Sequence, residues 1–203
     1  MRKLERFDVM DYVLYEDKRQ ELTHNVKKIK DLRRIFLGDK LLFLFENTEI
    51  VKNHALGSIA RAKLFTEHDL IRQLEVFNEL IPDEGELKCT MIILNDVDWE
   101  RTKRVKLWED LSSHIYLILN DGRKVYGEAP ETSVVNQHPC SMRLLKFFCG
   151  DDHYPVKIGS DYTSDHEYHL EETLSHAQQR ALQEDLTADH GGNFAQDNES
   201  QVI

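Results

Sequence analysis

The stretch Leu41-Leu42-Phe43-Leu44-Phe45-Glu46-Asn47 decides how this chain is read: five large apolar residues end abruptly on an acid and an amide. Five residues are too few to span a membrane, and a short apolar run bounded by Gly38-Asp39 and Glu46-Asn47 reads as a strand buried on both faces. A strand of that kind needs a layer on each side, which the flanking segments supply as helical patterns. Glu46-Asn47 is accordingly read first as the polar exit of a core strand rather than as a site.

Outward from this strand, Tyr12, Tyr15, Arg19, Leu22, Val26 and Ile29 recur in steps of three and four and predict a helix over residues 11–32. Its narrow stripe suits packing on the chain's own sheet and could also serve a homodimer. Gly38-Asp39-Lys40 predicts a hairpin link into the apolar strand. After it, Asn47 or Thr48 can cap a helix with Val51, Ala55, Ile59 and Ala62 on one face. Thr66 to Asp69 has capping-box spacing with Phe65 and Leu70 as a staple, and Pro82 ends the helix that follows. Residues 86–94 read as a strand, residues 96–111 as a helix and residues 114–119 as a strand, a β-α-β unit. Asn120-Asp121-Gly122 then predicts a tight antiparallel hairpin onto residues 124–127. A last strand over residues 142–149 leads through an acidic, His-rich loop to a helix carrying Leu170, Leu174, Ala177 and Leu182. The expected fold class is α+β, with a mixed, largely antiparallel sheet and helices packed on it. Residues 1–187 form a single domain in this reading, and residues 188–203 are expected to be a disordered acidic tail, lacking the apolar surface that would offset its ordering entropy.

Composition narrows the function. The 203 residues carry a net charge of −11, spread unevenly: residues 1–40 sum to +3 and residues 150–203 to −10. Such a field repels phosphate backbones, so no nucleic-acid partner is expected, and Lys27-Lys28 with Arg33-Arg34 read as solvated helix surface. No apolar run reaches membrane-span length, and the charged start Met1-Arg2-Lys3-Leu4-Glu5-Arg6 has no apolar leader, so a cytoplasmic, soluble protein with no membrane partner is expected. Cys89, Cys140 and Cys149 are odd in number and lack Cys-x-x-Cys spacing, which argues for reduced thiols. Cys89 and Cys149 sit in apolar runs, whereas Cys140 follows Pro139 in a loop and is the one expected to react.

The densest candidate chemistry is at the acidic end. His153, His166, His169 and Glu172 combine imidazole and carboxylate, the donors a divalent transition metal takes, and on a helix over residues 165–180 the steps of three would bring His166, His169 and Glu172 to one face. That spacing reproduces neither His-Glu-x-x-His nor an EF-hand loop, and solvated acidic surface is the simpler account. His54 and His68 read as helix-surface residues without a partner. Gly-x-Ser-x-Gly, Gly-x-Gly-x-x-Gly and P-loop patterns are absent.

The opening Met1-Arg2-Lys3-Leu4-Glu5-Arg6, Arg33-Arg34, Leu37-Gly38, the ending Phe45-Glu46-Asn47, Leu80-Ile81-Pro82, Glu86-Leu87, Glu100-Arg101 and Leu144-Leu145-Lys146-Phe147 occur in an order that resembles the bacterial family called domain of unknown function 3501, over about residues 1–187. The resemblance implies no established activity. Members tend to be encoded near rubrerythrin-like and iron–sulfur oxidoreductase proteins, which implies an accessory or binding role with a redox-system protein as partner. The alternative, a metal-dependent enzyme, draws on the histidine–carboxylate region and Glu46 instead. Phe45, Glu46 and Asn47 are the motif carried over. After it this chain has Asn53-His54-Ala55 where relatives usually show Tyr-Gln-Ile, and Ala62 where they show an acid.

Overall fold

The computed structural model describes residues 1–94, 107, 109–130, 142–150, 152–164 and 166–188. After a short 3-10 turn, Arg6–Asp8, come α1 (Tyr12–Asp31), β1 (Arg34–Leu37), β2 (Leu41–Phe45), α2 (Thr48–Ala62), α3 (Glu67–Asn78) and β3 (Glu86–Ile93). They are followed by β4 (Ile115–Leu119), β5 (Lys124–Tyr126), β6 (Met142–Phe148), β7 (Pro155–Asp161), a 3-10 turn at His166–Tyr168, β8 (His169–Thr173) and α4 (His176–Thr187).

The class is α+β, as the sequence indicates, but the strands divide into two four-stranded sheets, β1-β2-β3-β6 and β5-β4-β7-β8, in which every neighbouring pair is antiparallel. The expected mixed sheet is corrected here, because β3 and β4 belong to different sheets and form no parallel β-α-β unit. Most of the helix expected between them, residues 95–106, lies outside the described residues, as do Cys140 and the tail from residue 189. The sheets meet where the chain leaves β5: Glu128 and Lys146 exchange backbone hydrogen bonds of 2.8 Å each way, carrying the chain from one sheet to the other.

Period-two alternation explains the two cores. On β2, Leu41, Phe43 and Phe45 are fully buried and join Cys89, Met91, Leu145 and Phe147 against Ile115, Leu117 and Ile158 of the second sheet, with Leu182 and Leu186 of α4 closing the layer. Burying each of the two phenylalanines contributes roughly 1.5–3 kcal/mol. On the opposite face of the first sheet, Leu144 of β6 packs with Val51 and Ala55 of α2 and Leu74 of α3. Cys89 and Cys149 are buried, and burial pushes the Cys149 thiol up to about 12, so both behave as small apolar residues.

Local chemistry sets the helix starts. Asn47 Oδ1 accepts from Ile50 N–H at 3.0 Å, Thr66 Oγ1 accepts from Asp69 N–H at 3.2 Å, and Ser175 forms a capping box with Gln178. That last cap corrects the expected C-terminal helix: it begins at His176, whereas Leu170 lies on β8. Among the described residues no helix is long and apolar enough to cross a membrane.

Candidate functional site

Phe45, Glu46 and Asn47 leave the end of β2 in three directions. Phe45 points into the core, 6.4 Å from the Phe147 ring. One step on, alternation turns Glu46 toward the helical face, and its N–H donates to Lys88 O at 2.9 Å, which fixes the carboxylate beside β3. Thr90 Oγ1 donates to Glu46 Oε1 at 2.8 Å, while Oε2 is buried with no hydrogen-bond partner. Glu46 is 2% exposed. Burial pushes its carboxyl up to about 7, against the opposing pull of the Thr90 hydroxyl and the Lys30 ammonium.

Lys30, in the last turn of α1, approaches from the other side. Its Nζ lies 2.6 Å from His54 Nε2 on α2. Burial and the adjacent Lys30 charge hold His54 down at about 4, so the imidazole is neutral near pH 7, accepts from the ammonium at Nε2 and keeps its own proton on Nδ1. Burial also lowers Lys30, with Glu46 opposing that shift and Arg34 adding to it. His54 is therefore not the partnerless surface histidine that its sequence context suggests.

Asn47 joins a second polar cluster. Its Nδ2 lies 3.5 Å from Asp185 Oδ1, and Arg33 grips the same carboxylate through Nε at 2.6 Å and Nη2 at 2.9 Å. Arg33 Nη2 also donates to Ala181 O at 3.3 Å. Arg33 and Asp185 are both buried, so Arg33 is a structural cation and not the solvated surface residue expected of it. Burial pushes the Asp185 carboxyl up while Arg33 pulls it down.

A third feature is a hollow of mixed character. Arg6, Asp11, Tyr12, Tyr15, Leu56 and Phe65 are among the residues that line a concavity of about 220 Å³ between the first 3-10 turn and the first three helices, polar and apolar surface sharing it about equally. Tyr12 and Phe65 meet edge to face at 6.2 Å on its rim, and Phe65 is 67% exposed.

The acidic His-rich region takes a different form from the helix on which its metal-binding geometry depended. His166 lies in the 3-10 turn, and His169 and Glu172 lie on β8, where three steps place side chains on opposite faces. His153 Nδ1 sits 3.5 Å from Asp121 Oδ2 instead. Among the described residues no three His, Cys, Asp or Glu side chains form a group able to hold a metal ion. Lys30, His54 and Thr90 are the residues that sequence reasoning missed. The available signal was an acid placed directly after an unbroken apolar run, where the backbone of a buried strand carries a carboxylate inward.

A family model described as "Protein of unknown function (DUF3501)" matches residues 3–186. A crystal structure of a novel protein of unknown function from Burkholderia pseudomallei K96243 is similar, with 21% identity, a TM-score of 0.79 and coverage of 91% of this chain and 99% of that one. At that identity the likeness is one of fold. No curated protein matches.

Proposed function

We propose that this chain, which belongs to the DUF3501 family, is a cytoplasmic binding module that works beside a rubrerythrin-like or iron–sulfur oxidoreductase and performs no catalysis of its own. The observation that carries the reading is the concavity with Tyr12 and Phe65 on its rim. Exposed aromatics around a preformed hollow are what a protein partner uses as an anchor point. Glu46, the acid best tuned for proton transfer, is buried instead. The fitting occupant is a partner segment that inserts one aromatic or long aliphatic side chain between Tyr12 and Phe65.

Calorimetric titration against the purified oxidoreductase encoded beside the gene tests this reading. We expect saturable binding that Phe65→Ser weakens by about 2 kcal/mol or more, the cost of losing an interface hot spot. Absence of binding, or binding indifferent to Phe65→Ser, would remove the proposal.

A further inference from the structure

The hollow beside the start of α1 is sized for one ring rather than for a cofactor. Pockets that enclose a drug-sized ligand run to about 300–1,000 Å³, whereas this one holds about 220 Å³. Most of its charged groups are already committed within the chain. Arg6 donates through Nε to Glu67 Oε2 at 2.8 Å and through Nη1 to Val9 O at 3.3 Å, and Asp11 Oδ1 caps α1 by accepting from Val13 N–H at 2.8 Å.

Tyr15 is the exception. It lines the hollow and is only 7% exposed, yet its hydroxyl has no hydrogen-bond partner among the described residues. That oxygen is not sealed away either, in contrast to the unpartnered Oε2 atoms of Glu46 and Glu86. Gly57 on α2 makes room for it: a Cβ there would sit 3.3 Å from the Tyr15 oxygen, so only a residue without a side chain lets the phenol come this close to α2. A buried hydroxyl that gains no partner on folding has lost hydration without replacement. A bound group that donates to it or accepts from it supplies what folding does not.

We propose that the Tyr15 hydroxyl is the specificity-determining group of the hollow, and that it selects a tyrosine of the partner segment over a plain hydrocarbon side chain. The rim and the hydroxyl divide the work. Tyr12 and Phe65, edge to face at 6.2 Å, take the body of an inserted ring and treat phenol and phenyl alike. Tyr15 reads the tip, and because a phenolic hydroxyl both donates and accepts, the two hydroxyls can pair whichever of them gives the proton. A phenylalanine in the same place would leave the Tyr15 oxygen unpaired, which is how a polar group in a closed site rejects an analogue that lacks the matching atom. The identification of the occupant as a partner's tyrosine rests on the binding-module reading, whereas the selectivity is a property of the hollow itself.

The test titrates the full chain with p-cresol and with toluene, the side chains of tyrosine and phenylalanine as free molecules, and follows the methyl NMR signals of Leu56, Ile59 and Leu70, which line the hollow. On hydrophobicity alone toluene would bind more tightly. We expect p-cresol to bind more tightly instead, and the p-cresol-to-toluene affinity ratio to fall about five- to tenfold in Tyr15→Phe, the factor that one hydrogen bond supports. Tyr15→Phe keeps the ring and removes one oxygen, so toluene affinity should stay within about twofold. Phe65→Ser should weaken both fragments by a similar factor and leave their ratio alone. Toluene favoured in the wild type, or a ratio that Tyr15→Phe does not change, would overturn the proposal and leave the binding-module reading standing. Failure of both fragments to bind would also overturn it, and calorimetry with the oxidoreductase then decides the binding-module reading separately. A p-cresol preference without binding of the oxidoreductase would keep the selectivity of the hollow and remove only the partner.

Discussion

Lys30 Nζ and His54 Nε2 stand 2.6 Å apart, an ammonium donating to an imidazole that its own charge helps keep neutral. Both partners have lowered proton affinity, and Glu46, close to the ammonium, supplies the compensating negative charge. Lys30→Met removes the cation that favours ionised Glu46. We expect the Glu46 carboxyl to titrate above its wild-type midpoint of about 7, as followed by carbon NMR of labelled glutamate. A midpoint that stays put would mean that the two charges do not feel each other.

Glu46→Gln separates burial from charge. The raised carboxyl takes up its proton on folding, so its contribution is present below 4.5 and is lost as pH rises through 7. At pH 8 the wild type buries an anion, and the neutral amide should be more stable by about 2–3 kcal/mol, an advantage that disappears near pH 4. Urea unfolding at the two pH values measures the difference, and an equal effect at both would contradict the assignment.

Arg33 and Asp185 form a buried bidentate pair, and such pairs reveal themselves by asymmetry. Asp185→Ala leaves a guanidinium buried without its counter-ion and should cost about 3–5 kcal/mol, while the double variant Arg33→Met/Asp185→Leu should recover most of that. A double-mutant cycle by chemical denaturation decides the matter. Additive losses would show that the pair is not coupled.

Gly159 on β7 lies directly across from Tyr116 on β4, and a Cβ there would sit 2.5 Å from the tyrosine ring. Gly159→Ala should therefore destabilise by about 1–3 kcal/mol, and adding Tyr116→Ala should remove most of the clash. Thermal melts of the single and double variants would show it. Without that rescue, the cost would have to lie in the backbone.

The parts of the fold legible in sequence are those where local chemistry and burial agree. Leu41 to Phe45 is apolar without interruption, Asn47 and Thr66 cap the helices that follow, and Asp121-Gly122 turns β4 onto β5. β7 was missed because Lys157, Gly159 and Ser160 break its apolar pattern, and Gly159 is present only because the Tyr116 ring covers it. β8 is an edge strand, largely exposed, and His-Leu-Glu-Glu-Thr fits a helix by propensity as readily as a strand. The division into two sheets could not be read at all, since it depends on which strands pair and not on how any strand is composed. The Phe45-Glu46-Asn47 motif was visible as a motif. Its chemistry was not, because Lys30, His54 and Thr90 reach it from three other elements.

The pair formed by Arg33 and Asp185 also governs when the chain can finish folding. The two partners lie 152 residues apart along the chain, Arg33 first. At roughly 5–20 residues per second of synthesis, Arg33 leaves the ribosome many seconds before α4 exists to neutralise it. During that interval the first sheet lacks both its counter-ion and the apolar cover of Leu182 and Leu186. Nascent chains stalled before residue 176 should therefore remain protease-sensitive around β1 and β2, and protection should arrive abruptly once α4 has emerged.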